Sequence, residues 1–92
     1  MEIVFSPRAK MRMQNIADYL AKNNVSKHVI LQYLNQFENF LTSTLTNFPE
    51  SGHVATEFGK DIRKIIFKQY CFVYRCKNNK IEILTIYREN TP

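Results

Sequence analysis

The sequence predicts an α+β domain of order β-α-α-β-β-β, a helix hairpin packed on one face of a small, mainly antiparallel sheet. Three observations lead there. Residues 62–67, 70–76 and 81–87 are short runs rich in β-branched and aromatic side chains, separated by turns of two to four residues. Upstream, apolar residues recur at helical spacing in two stretches joined by a connection of three or so residues. Helices are supplied once, before the three strands, so a single helical layer covers a single face of the sheet.

Ninety-two residues predict one domain spanning 1–92, and a chain of this size buries about 60% of its unfolded surface, enough for one core. With 45% hydrophobic and 23% charged residues the composition is that of a folded globular protein. The apolar runs are far shorter than the roughly 20 residues that span a bilayer, and residues 1–7 lack the pattern of a signal peptide, so a cytoplasmic location with no membrane partner is expected.

Residues 2–5 alternate as an edge strand that ends at Ser6-Pro7, where Ser6 suits an N-cap and Pro7 the first helical position. Met13, Ile16, Ala17 and Leu20 then form one apolar stripe. Asn23-Asn24 stops this helix, and Ser26 caps a second in which Ile30, Tyr33, Leu34, Phe37, Phe40, Leu41, Thr44, Leu45 and Phe48 keep helical period as far as Pro49. That predicts about 33 Å of helix at 1.5 Å per residue, with Phe37, Phe40 and Phe48 in the core. Residues 49–60, with Pro49, Ser51, Gly52 and Gly59, read as a loop.

Asn78-Asn79 suits a two-residue hairpin turn. Counting outward from it sets Cys76 opposite Ile81, Arg75 opposite Glu82, Val73 opposite Leu84 and Cys71 opposite Ile86. Counting from Lys68-Gln69 sets Phe67 opposite Tyr70, Ile65 opposite Phe72 and Lys64 opposite Val73. The helix-covered face then holds Ile65, Phe67, Tyr70, Phe72, Tyr74, Ile81, Ile83 and Tyr87. The other face holds Ile62, Ile66, Cys71, Val73, Leu84 and Ile86 among Lys64, Arg75, Glu82 and Arg88. An apolar patch left uncovered in this way marks a binding surface.

Charge is uneven along the chain. Residues 1–59 carry five bases and five acids, whereas residues 60–92 carry eight bases and three acids, so the net +5 sits in the sheet half. A basic surface of this kind attracts nucleic acid, nucleoprotein or an acidic polypeptide. Cys71 and Cys76, five apart on one strand, point to opposite faces about 16 Å apart and cannot form a disulfide. Neither belongs to a Cys-x-x-Cys pair, and His28 and His53 are distant in sequence, so no metal site and no cofactor are expected. His53 reads as an exposed loop residue and His28 as a surface residue of the second helix. Arg63 falls on the covered face by parity and should hydrogen-bond a loop carbonyl or carboxylate at the sheet's edge.

The phrase Phe48-Pro49-Glu50-Ser51-Gly52 after a helix hairpin, then Ile62-Arg63, Tyr70-Cys71-Phe72-Val73-Tyr74 and a closing Ile83-Leu84-Thr85-Ile86-Tyr87-Arg88, resembles the RelE/ParE toxin superfamily over nearly the whole chain. The resemblance implies the toxin of a type II toxin–antitoxin module, masked when its antitoxin's flexible C-terminal segment wraps it. The long hairpin and Cys71, where the ribonuclease branch usually has an arginine, resemble the ParE branch, whose members poison DNA gyrase. Tyr87-Arg88 stands where many ParE-like chains carry a histidine. The expected antitoxin-binding face is Ile62, Lys64, Ile66, Val73, Arg75, Leu84, Ile86 and Arg88, with no catalytic residues and no sequence-specific DNA binding by this chain alone. The alternative reading is a RelE-like endonuclease acting on mRNA in the ribosome, with Lys64, Arg75 and Arg88 gripping phosphate. A toxin-derived binding module without toxicity is a third.

Overall fold

A computed structural model describes residues 1–89. Its elements run β1 (Glu2–Phe5), α1 (Pro7–Lys22), α2 (Lys27–Leu45), β2 (His53–Val54), a short 3-10 turn (Thr56–Phe58), β3 (Ile62–Phe67), β4 (Tyr70–Lys77) and β5 (Lys80–Arg88). The five strands form one sheet in the order β1-β5-β4-β3-β2. Strand β1 lies parallel to β5, and the remaining neighbours are antiparallel.

Local chemistry sets the boundaries. The Ser6 side chain accepts the Ala9 N–H at 3.0 Å with Pro7 next in line, and Ser26 does the same for Val29 at 3.3 Å. Asn24 takes the left-handed conformation that ends the first helix. Asn78 and Asn79 both have positive φ, as a type I′ turn requires, and so do Lys68 and Gln69. Asparagine tolerates that conformation; lysine and glutamine adopt it here because the strands on either side dictate it.

Ala9, Ile16, Phe37, Leu41 and Leu45 from the helices meet Phe72, Tyr74, Ile81, Ile83 and Ile86 from the sheet to form the core. Phe37 sits at its centre, edge-on to Tyr33, Tyr70, Phe72 and Phe67 with ring centroids 4.9 to 6.0 Å apart. Phe40 stacks on Phe67 at 4.3 Å. Full burial of one such side chain stabilises the fold by about 1.5–3 kcal/mol.

Four sequence expectations need correction. Helix α2 stops at Leu45, and Phe48, 68% exposed, lies outside the core. The region read wholly as loop contains β2, because His53 and Val54 pair with Lys64 and Arg63 at the sheet's edge. The same region supplies the Thr56–Phe58 turn, which lies on the sheet face away from the helices. Most consequentially, the β4–β5 register slips by one between Val73 and Tyr74. Tyr74 pairs with Ile83 but Val73 pairs with Thr85, leaving Leu84 as the extra residue of a β-bulge. Beyond it the facing of β5 inverts: Ile86 pairs with Phe72 and is buried in the core, Tyr87 pairs with Cys71 on the open face, and Arg88 pairs with Tyr70 on the helix side.

Candidate functional site

The open face of the sheet is built from alternate residues of β3, β4 and β5. Ile62, Lys64 and Ile66 stand opposite Arg75, Val73 and Cys71, and Arg75 stands opposite Glu82. Of the eight residues expected on this face, the structure places Ile62, Lys64, Ile66, Val73, Arg75 and Leu84 there. Ile86 and Arg88 lie on the other side because of the bulge. Val4 joins the face from β1, where it pairs with Glu82.

The face is not bare. Val73 is 1% exposed and Cys71 is fully buried, although no helix lies over them. The Thr56–Phe58 turn folds back across this side: the Phe58 ring lies 6.0 Å from that of Tyr87, and Lys64 Nζ bonds Glu57 Oε2 at 3.0 Å. What stays accessible lies on either side of that turn, with Ile66 48% exposed on β3 and, across the covered Cys71 and Val73, Leu84 half-buried on β5 and Val4 exposed on β1. No sequence signal other than Phe58 itself, a large apolar residue in a loop, foretold this cover.

The cations of the face are already engaged. Arg75 Nε donates to Glu82 Oε1 at 2.8 Å, as the register predicts, and the Lys64–Glu57 bond raises the lysine's pKa and lowers the carboxylate's. Both pairs are solvent-accessible, so water screens them and they add little to stability. Arg88, on the far side, donates instead to Gln69 Oε1 at 3.4 Å. The structure therefore does not bring Lys64, Arg75 and Arg88 together. Tyr87, expected in the core, lies on the open face; the neighbouring Cys71 thiol and burial push its pKa up, and burial pushes up that of Cys71.

At the lower edge of the sheet the loop after α2 is locked by two side chains. Buried Tyr74 donates its hydroxyl to the Pro49 carbonyl at 2.8 Å and accepts the Gly52 N–H at 3.0 Å. Arg63 donates to the carbonyls of Gly52 at 2.8 Å and Glu50 at 3.2 Å, the edge role expected of it. A Cβ on Gly52 would come within 2.6 Å of the Tyr74 hydroxyl and 2.7 Å of the Lys64 carbonyl, which explains why a glycine ends the Pro49-Glu50-Ser51-Gly52 run.

Residues 3–91 match the family model of the ParE toxin of the type II toxin–antitoxin system parDE. The chain belongs to the ParE toxin family. This ParE toxin is thus one half of a toxin–antitoxin pair, and a cognate antitoxin is its partner. Its fold is shared with a chain of the chromosomal ParDE TA system from P. aeruginosa, at a TM-score of 0.79 over 98% of this chain and 97% of that one; at 16% identity the likeness is one of fold. No curated protein matches the toxin's sequence. Among its described residues no helix is long and apolar enough to cross a membrane.

Proposed function

We propose that this toxin binds DNA gyrase in the cytoplasm, blocks its strand-passage cycle, and is neutralised when its antitoxin lies along the open face. The ParE family match over residues 3–91 carries the reading. The electrostatics of the face support it. A phosphate-gripping site for RNA cleavage needs converging, available cations and a base near the attacked 2′-hydroxyl. Here Lys64 and Arg75 are each neutralised by a carboxylate, and Arg88 faces the helices.

For the antitoxin, the contact centres on Ile66, Leu84 and Val4, with Ile62, Lys64 and Arg75 beside them and the Thr56–Phe58 turn as one wall. Apolar side chains on both sides of the turn, with ion pairs among them, suit a partner segment that inserts hydrophobic side chains and exchanges salt bridges at the rim. Purified toxin tests the gyrase reading directly. Supercoiling of relaxed plasmid by gyrase should be inhibited and should recover on addition of antitoxin. Uninhibited supercoiling, together with mRNA cleavage in a translating extract, would replace it with the ribonuclease reading.

A further inference from the structure

The bulge at Leu84 has a second effect, on the helix side of the sheet. By inverting the end of β5 it turns Arg88 away from the open face, beside Tyr70 and towards α1. Helix α1 presents Arg12, Asn15, Ile16 and Tyr19 there, at the three- and four-residue spacings that share a helix face. Together these groups line a notch of about 250 Å³. Its floor is Ile16 and Ile86, both buried. Its rim carries two guanidinium groups from different elements, an amide and three tyrosines, Tyr19, Tyr70 and Tyr87, and among the described residues no carboxylate lines it.

Two like charges gathered in one concavity repel each other unless an anion joins them. Among the described residues, the one side-chain acceptor bonded to either guanidinium is the neutral Gln69 amide oxygen, on Arg88. Guanidinium forks match the oxygens of a phosphate or a carboxylate. The aromatic side decides between them: Tyr19 is 53% exposed, a flat ring at the edge of the cationic notch with an apolar floor beneath. A planar base stacks on such a ring while its own phosphate reaches the guanidinium groups, so a single nucleotide unit supplies both contacts, whereas a carboxylate side chain supplies only the anion.

We propose that this notch binds a nucleotide unit, with Arg12 and Arg88 holding the phosphoryl oxygens and Tyr19 stacking on the attached base. The unit comes from a single strand or from a free nucleotide, since in a duplex the base is already stacked. The notch meets the open face proposed for the antitoxin only at Tyr87, and its ligand is bound without reaction.

The test uses the purified toxin alone and fluorescence anisotropy of a labelled short oligothymidylate, titrated at several salt concentrations. Arg12→Gln and Arg88→Gln should each weaken binding about tenfold and each reduce the log–log salt slope by about 0.7. Tyr19→Ala should weaken it about tenfold while Tyr19→Phe retains it. All three side chains are exposed, so the unfolding curves should stay unchanged. A Lys10→Gln/Lys27→Gln double variant serves as the charge control and should lose much less. Competition by thymidine monophosphate identifies a free nucleotide as sufficient; absence of competition, with arginine-dependent strand binding intact, identifies the strand. The proposal is overturned if the oligonucleotide fails to bind at low salt, or if the lysine control loses as much as the arginine variants. Arginine-dependent binding of a glutamate-rich peptide in place of the oligonucleotide would also overturn it.

Discussion

Ser6 and Leu84, 78 positions apart in sequence, are joined by a 2.7 Å hydrogen bond from the Ser6 hydroxyl to the Leu84 carbonyl. The Ser6 Oγ itself accepts the Ala9 N–H at 3.0 Å, and the Ser6 N–H donates to the Ile83 carbonyl at 2.9 Å. One residue thus caps α1 and takes up carbonyls beside the bulge, tying the register shift to the helix start.

Ser6→Ala removes both functions and should destabilise the toxin by about 1–3 kcal/mol, since an N-cap is worth about 1 kcal/mol and a carbonyl loses its partner. Ser6→Asp restores an acceptor but donates nothing when ionised, so it should recover only the capping share. Urea unfolding of the three proteins checks the order parent, Asp, Ala.

Much of this architecture was legible in the sequence because local signals agreed with each other. Ser6-Pro7, Ser26 and Asn78-Asn79 each name one boundary by their own chemistry, and Arg75 opposite Glu82 followed from counting. The bulge was illegible by the same method, because counting from a turn assumes an unbroken ladder. Its trace is Ile83-Leu84, two adjacent apolar residues where alternation calls for one. From that single slip follow the misplaced facings of Ile86, Tyr87 and Arg88. The cover over Val73 was hidden for another reason: Glu57 and Phe58 reach the open face from a loop whose own sequence has no period.

Tyr74→Phe leaves the buried Gly52 N–H and the half-buried Pro49 carbonyl without the hydroxyl that serves both, and should cost about 1–3 kcal/mol. Gly52→Ala should cost more, because the added methyl meets the Lys64 backbone as well as the Tyr74 hydroxyl. In the double variant the loss should fall short of the sum, since one of the two clashes has gone. Thermal unfolding of the four proteins measures that coupling.

Alkaline pH should destabilise the fold, in part through Cys71 and Tyr87. Both have pKa values raised in the folded state, so above the ordinary thiol value of 9.0 the unfolded chain releases protons that the folded chain keeps. Their contribution is fully present below that pH and is lost as pH rises towards the folded values. Urea midpoints measured from about pH 8 to about pH 11 should decline, and Cys71→Ala should decline less steeply. A parallel decline in the two proteins would show that the Cys71–Tyr87 contact is not a source of the effect.

The face proposed for the antitoxin is best probed where a charge can be introduced without unfolding the toxin. Val73 and Ile66 are both apolar and two strands share them, yet Val73 is 1% exposed beneath the Thr56–Phe58 turn while Ile66 is 48% exposed. Val73→Glu should therefore fail to fold stably, because a buried carboxylate without a partner is costly. Ile66→Glu should keep the parent's unfolding midpoint and still weaken the antitoxin by more than tenfold, since burial of an anchor side chain at an interface centre is worth about 2 kcal/mol or more. High salt alone should leave the parent complex intact, because screening acts on the rim ion pairs and not on the apolar contacts. Calorimetric titration of antitoxin into parent and Ile66→Glu toxin reads both effects, and undiminished affinity in the variant would move the antitoxin to another surface.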